Sequence, residues 1–277
     1  MKIDELLPEV KKIEVEILCV IDDFCKKNNI CYSLAYGTLI GAIRHKGFIP
    51  WDDDIDLWMS RDDYNRFIEL WLKNPVEGYI LQNTDLESDF NQNFTKIRKD
   101  NSAFIQSEEE KQKQYHKGIF VDIFPLDRVS KTKEGIVKQK IYAVLTMLFY
   151  RKFSPPNERG LKKIISKMLL TIVPKSQYDN LRKYFEKKYL SLCGDQTCKF
   201  ISNSTYECLN LYYDFDMMDT FVDLEFEGKR FPAVAKWDHA LKVEYGDYMK
   251  LPPKEERVWK HNPLLINFEK NYSNDIL

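Results

Sequence analysis

The segment Trp51-Asp52-Asp53-Asp54-Ile55-Asp56-Leu57-Trp58-Met59 carries four carboxylates into an apolar run that reads as a β-strand. Alternate side chains of a strand share a face, so Asp52, Asp54 and Asp56 would stand together, neighbours about 7 Å apart. Asp is a poor strand former and like charges on one face repel, so this row is costly unless a cation lies among the carboxylates. Hard oxygen ligands with no adjacent Cys or His pattern point to Mg²⁺ or Mn²⁺ and away from zinc. An acidic loop explains most Asp-rich runs, but Ile55, Leu57, Trp58 and Met59 argue for a segment buried at its far end. Ser60-Arg61-Asp62-Asp63 follows as a capping box, opening a helix whose apolar positions Tyr64, Phe67, Ile68, Leu70 and Trp71 have helical spacing.

Upstream, the apolar run 30–36 predicts a strand that enters the tight turn Tyr36-Gly37-Thr38-Leu39-Ile40-Gly41 and a short helix. Backbone N–H groups at such a turn, together with a helix N-terminus, suit a phosphate. Downstream, Ile119-Phe120-Val121-Asp122-Ile123-Phe124 is apolar apart from Asp122. A carboxylate inside a strand is expensive unless paired or coordinated, which makes Asp122 the third metal ligand beside Asp54 and Asp56. The competing reading is a satisfied Asp on an edge strand.

The remaining chain divides by its periodicity. Leu6, Leu7, Val10, Ile13, Ile17, Ile21 and Phe24 form one helical stripe ending near Asn28-Asn29, and extended pieces are expected at 79–82, 94–98 and 103–106. Beyond Pro125 come three helical stretches, 136–150, 161–173 and 177–192, with Ser154-Pro155-Pro156-Asn157 between the first two and Pro174 ending the second. Phe221–Phe226 and 229–234 flank Glu227-Gly228 as a hairpin, and 237–245 is a last helix stopped by Gly246. These elements predict an α/β (α+β) fold: a mixed sheet with flanking helices, interrupted by a helical insertion. The expected organisation is a catalytic core over 1–130, a basic helical subdomain over 131–215, and a C-terminal hairpin, helix and tail over 216–277 that complete the core.

A chain of 277 residues with ordinary apolar content can bury a large core. Its net charge of −1 hides an uneven distribution: residues 131–188 hold 15 Lys/Arg against 4 Asp/Glu, a net of +11 against −12 elsewhere. No nucleic-acid partner is expected. Cys19, Cys25, Cys31, Cys193, Cys198 and Cys208 lack paired spacing and read as reduced thiols. Charges at Asp4, Glu5, Glu9, Lys11 and Lys12 interrupt any leader-like stretch, and no apolar run approaches the roughly 20 residues of a membrane span. A cytoplasmic location is the expectation. The basic helices also admit peripheral docking on an anionic leaflet, although a solvated insertion explains them equally well.

The string Tyr36-Gly-Thr-Leu-Ile-Gly-Ala-Ile-Arg-His-Lys-Gly-Phe-Ile-Pro-Trp-Asp-Asp-Asp-Ile-Asp56 closely resembles the LicD family of the nucleotidyltransferase superfamily. Supporting matches are Gly118-Ile-Phe-Val-Asp-Ile-Phe-Pro-Leu-Asp127, and Tyr245-Gly-Asp-Tyr-Met-Lys-Leu-Pro-Pro253 followed by Arg257 and His261. The likeness covers about 30–261 and is thin over 131–220.

The resemblance implies Mg²⁺-dependent (or Mn²⁺-dependent) transfer of phosphocholine from CDP-choline to a cell-surface glycan, teichoic acid or lipopolysaccharide, free or lipid-linked, with release of CMP. Two metal ions are expected, held by Asp54, Asp56 and Asp122, with Asp122 also placed to act as base. Gly37 and Thr38 would hold phosphate; Arg44, Lys46, Lys96 and Arg98 would pair with diphosphate oxygens, although a solvated strand face explains the last two almost as well. Asp53, on the opposite strand face, would anchor Arg44 or His45, and His261 with Arg257 would reach the site from the C-terminal region. Trp51, Trp58 and Tyr36 are candidates for an aromatic cage around a quaternary ammonium. Alternatives are transfer of another phospho-alcohol (a polyol phosphate or phosphoethanolamine) from a CDP donor, a nucleotidyltransferase proper that releases pyrophosphate, and a non-catalytic binding relative.

Overall fold

The computed structural model describes residues 5–106, 116–154, 160–193, 199–202, 208–259, 261 and 263–270. Cys198 and the expected break at Pro155-Pro156-Asn157 lie outside them. The chain forms two compact units, one built from Met1–Asp89, Phe94–Pro125 and Met217–Leu277, the other from Phe90–Asn93 and Leu126–Asp216.

The first unit opens with α1 (Leu7–Asn28), which ends where Asn29 adopts a left-handed φ of 53°. Its buried stripe holds Val10, Ile17, Leu18, Ile21 and Phe24, as the periodicity requires, and also Glu14. Then come β1 (Ser33–Leu34), α2 (Tyr36–Arg44), β2 (Asp56–Ser60), α3 (Arg61–Lys73), β3 (Tyr79–Gln82), β4 (Thr95–Lys99), β5 (Ala103–Ile105) and β6 (Phe120–Arg128). The strands of the main sheet run in the order β1-β2-β6-β4-β3. The Ser60 hydroxyl accepts the Asp63 N–H at 3.2 Å and starts α3, the cap expected of it.

The second unit holds α4 (Lys133–Arg151), α5 (Gly160–Ile172), α6 (Tyr178–Leu190) and β7 (Phe200–Ser202), the last paired with residues 126–128 of β6. Its core gathers Val129, Ala143, Met147, Tyr189 and Leu209. Back in the first unit, β8 (Phe221–Phe226) and β9 (Lys229–Val234) form the expected hairpin, with Glu227 and Gly228 both at positive φ. α7 (Trp237–Tyr245) stops at Gly246, φ 66°, and β10 (Leu265–Asn267) pairs with β5. Helices around a mixed sheet are the α/β architecture expected. Among the described residues no helix is long and apolar enough to cross a membrane.

Two local expectations need correction. The strand expected through 51–59 begins only at Asp56, because the Asp52 N–H turns back onto the Ile49 carbonyl at 2.9 Å. Strand alternation therefore does not sort Asp52, Asp53 and Asp54 onto faces. The strand at 30–36 shrinks to two residues, and the turn after it is made by Tyr36, whose φ is 44°, with Gly37 already inside the first turn of α2. Gly37 serves proximity instead: a Cβ there would lie 2.6 Å from Asp52 Oδ2.

Candidate active site

The acidic residues converge because neighbouring backbone groups fix them. The Asp56 N–H donates to the Thr38 hydroxyl at 2.9 Å, tying the start of β2 to α2. The Asp122 N–H donates to the Ile55 carbonyl at 2.9 Å, tying β6 to the same turn. Gly37 holds room for Asp52. Thr38 is buried, and its hydroxyl oxygen is already engaged in positioning Asp56. The phosphate role expected of Thr38 is thus left to donation by that hydroxyl.

Electrostatics mark the same place. Burial, then the charges of Asp54, Asp122 and Asp52, hold the Asp56 carboxyl well above the usual carboxylate range, with Lys96 opposing. Asp54 is raised as well, first by burial, with His261 opposing and Asp53 and Asp122 adding to the rise. Glu14, buried on α1, is pushed well up by burial and then by Asp54, Asp53 and Asp52. Glu14 escaped the sequence reading, although a Glu between Val10 and Ile17 on an apolar stripe is the signal that would have found it. Burial lowers the Lys11 ammonium despite these neighbours, and Lys11 donates to the Ile49 and Pro50 carbonyls at 3.3 and 3.4 Å.

Asp122 is held in a buried ion pair, with Lys96 Nζ 2.6 and 2.9 Å from its two oxygens. That ammonium also lies 3.4 Å from the centre of the Phe120 ring. Lys96 therefore reaches the acidic cluster from within the sheet, and the solvated-face reading of Lys96 and Arg98 is overturned. Arg98 is fully enclosed, donating to Gln82 at 2.5 Å and to the Gly118 carbonyl at 2.7 Å, so a diphosphate has no access to it.

Asp53 is buried and accepts from His261, Nδ1 to Oδ1 being 3.0 Å; the anchor expected for Arg44 or His45 is spent on a different partner. His261 Nε2 lies 3.8 Å from Asp54 Oδ2, and the ring meets Phe104 and Phe120 edge-on. Burial alone would depress this imidazole, but the Asp53 hydrogen bond and the charges of Asp54 and Asp53 raise it overall. Asp53, Asp54 and His261 offer ligand atoms within 4.8 Å of one another, the one such group among the described residues. Asp54, Asp56 and Asp122 do not form such a group among the described residues, and both Asp122 oxygens are engaged by Lys96.

Arg44 donates to the Tyr248 carbonyl at 2.8 Å, and its pKa is lowered by burial and by the neighbouring charge of Arg257. Arg257 stacks on Trp51, 5.2 Å from the ring centre. Lys46 is exposed in a left-handed turn, φ 60°, and its carbonyl accepts from Glu227 at the hairpin tip. Of the cage candidates, Trp58 is completely buried and so excluded, and Trp51 is covered by Arg257. Tyr36 is half-buried against Trp58 and Phe124. Tyr245, 45% exposed, was not singled out as an aromatic candidate; burial of its hydroxyl end and the charges of Glu244 and Asp56 raise its phenol.

The donor set fits a divalent cation. Carboxylates outnumber the cations facing them, and Asp53 Oδ2 and Glu14 Oε2 are buried without a hydrogen-bond partner.

Residues 29–156 match the model of the LicD/FKTN/FKRP nucleotidyltransferase domain. Over 260 residues the chain is 30% identical to the lipopolysaccharide cholinephosphotransferase LicD of Haemophilus influenzae, covering 92% of this chain and 96% of that protein. An uncharacterised protein of Rickettsia typhi is 38% identical over 60 residues, 22% of this chain and 19% of its own. Another, from Rickettsia prowazekii, is 40% identical over 55 residues, 20% of this chain and 21% of its own.

Proposed function

The chain belongs to the LicD family, and on that premise we propose that it transfers phosphocholine from CDP-choline to a sugar hydroxyl of a cell-surface glycan precursor, releasing CMP. The observation that carries this reading is the 30% identity to a lipopolysaccharide cholinephosphotransferase over 92% of the chain, with Asp53, Asp54, Asp56 and Asp122 lying in one compact unit. A lipopolysaccharide or teichoic-acid precursor is the proposed acceptor, and a cytoplasmic protein the proposed setting. Mg²⁺ or Mn²⁺, as two ions, would be held by Asp54 and Asp56, and would supply charge neutralisation at the diphosphate and acidify the acceptor hydroxyl.

The chain's own residues then divide the work. The acceptor oxygen bonds to the phosphorus that carries choline as the bond from that phosphorus to the CMP oxygen breaks. Asp122 takes the hydroxyl proton, and Lys96 holds its carboxylate in place for that. Arg44, Arg257 and Lys46 form the basic wall for the diphosphate; burial and the charge of Arg257 disfavour the Arg44 guanidinium, and an anion beside it offsets that. The Gly37 N–H, in the first turn of α2, and the Thr38 hydroxyl donate to phosphate oxygen. Tyr36 and Tyr245 face the quaternary ammonium, with Asp56 and Asp52 close to Tyr245.

Titration calorimetry with CDP-choline, CDP-ethanolamine and a CDP-polyol tests the head group. CDP-choline is expected to bind tightest, and Tyr245→Ala to weaken it by about 3- to 30-fold, the scale of a desolvated cation–π contact, while leaving the CDP-polyol unchanged. Equal affinity for all three would move the reading to another phospho-alcohol.

We also propose that α5 docks on an anionic leaflet. Ile164, Ile165, Met168 and Ile172 are 63, 43, 50 and 70% exposed, beside Lys163 and Lys167. Basic residues near such a surface add about 1 kcal/mol each, and apolar side chains add insertion. Co-sedimentation is expected with phosphatidylglycerol vesicles and not with phosphatidylcholine vesicles, and to be lost in Ile164→Glu/Ile172→Glu. Equal recovery with both lipids would sink the docking idea.

A further inference from the structure

We propose that His261 is a metal ligand, its Nε2 and Asp54 Oδ2 gripping a single divalent ion, with Asp53 fixing the imidazole from behind. This deepens the reading above and rests on its premise that Asp54 belongs to a metal centre. A ligating histidine characteristically donates its second ring N–H to a carboxylate, which sets the tautomer and aims the free nitrogen at the metal. Asp53 supplies that carboxylate: Oδ1 is 3.0 Å from Nδ1, and the side chain is only 1% exposed. The free nitrogen then points to Asp54, with Nε2 3.8 Å from Oδ2. That is too long for a hydrogen bond. It does match two ligands of one ion, which at about 2.1 Å from the metal stand about 3.0 to 4.2 Å apart as the angle between them opens.

Independent observations point to a cation at the same place. Asp53 Oδ2 is buried without a hydrogen-bond partner, and so is Glu14 Oε2, whose strongest charged neighbours are Asp54, Asp53 and Asp52. A buried polar atom left bare in this way is costly, the more so if charged, and a cation beside these carboxylates relieves that cost. Phe104 and Phe120 flank the ring edge-on, with centroids 6.4 and 5.8 Å away. Asp54 would thus serve two ions, one shared with Asp56 and one with His261.

An imidazole changes which metal is preferred. All-oxygen seats suit Mg²⁺, whereas one nitrogen donor shifts the preference toward Mn²⁺ and later first-row ions. Wild-type protein is therefore expected to bind Mn²⁺ at least tenfold more tightly than Mg²⁺, and His261→Gln to lose most of that gap. The direct readout is pulsed EPR of the full chain loaded with Mn²⁺ alone. Nitrogen-14 modulation from a coordinated imidazole is expected in wild type and absent in His261→Gln. Asp53→Asn is expected to weaken Mn²⁺ binding about 10- to 100-fold, the usual loss for such a supporting carboxylate.

Bound Mn²⁺ with no nitrogen coupling in wild type would overturn the inference and leave an all-oxygen Asp54–Asp56 centre standing. Nitrogen coupling that persists in His261→Gln would also overturn it, assigning the nitrogen to a different histidine. No tightly bound Mn²⁺ in wild type would overturn both this inference and the metal-dependent reading it rests on. The wild-type spectrum decides even if a variant fails to fold.

Discussion

Asp56→Asn is expected to abolish transfer while leaving the protein at least as stable as wild type. Asp56 is placed by backbone bonds: its N–H is held by the Thr38 hydroxyl, and the preceding carbonyl of Ile55 is held by Asp122 N–H. The side chain adds nothing to that placement. Its charge is opposed by burial and by Asp54, Asp122 and Asp52. Asn has the same shape and no charge, so the substitution removes repulsion from the fold and a ligand from the centre. The rate is expected to fall by at least 10²- to 10³-fold, the scale of losing one preorganised electrostatic contact. Thermal melting should hold or rise, the pattern of a residue kept for activity at a cost to stability. Turnover within tenfold of wild type would remove Asp56 from the centre.

Lys96→Met is the largest stability loss expected. Lys96 and Asp122 are cross-strand partners on β4 and β6, both nearly inaccessible, and the ammonium contacts both carboxylate oxygens and the Phe120 ring. Truncating one member of a buried pair leaves the other charge bare, at a cost of about 3–5 kcal/mol. Removing both charges together costs far less, because no bare ion remains. The double variant Lys96→Met/Asp122→Asn is thus expected to recover most of the loss. Urea midpoints of the three proteins measure this directly. A single variant within 1 kcal/mol of wild type would mean that water reaches Asp122.

Much of this was legible in the sequence, for reasons that differ by element. Ser60 and Asp63 announce α3 through local hydrogen bonding, and Glu227-Gly228 announces its hairpin through positive φ. Both are short-range effects. Asp122 was legible because a lone charge in an apolar strand needs a partner; that the partner is Lys96 follows only from β4–β6 register. Residues 52–55 misled because alternation presumes a strand, and a turn at 49–52 denies it. Arg98 misled because Arg reads as a ligand-facing cation, whereas here it satisfies Gln82 and the Gly118 carbonyl in the interior. The union of Asp53 with His261 spans 208 positions, and no local pattern encodes it. Glu14 lay in plain view, a carboxylate on a helix's buried face, and burial there is costly enough that it should have been suspected.

Product analysis separates phosphocholine transfer from every alternative in one experiment. The full chain is incubated with Mn²⁺ or Mg²⁺, a lipopolysaccharide or teichoic-acid precursor, and CDP-choline labelled in both the choline and the cytidine. CMP release in step with choline label on the glycan is expected from the wild type, and neither from Asp56→Asn. Cytidine label on the glycan, or choline label that stays in solution while wild-type protein binds the donor, would contradict phosphocholine transfer.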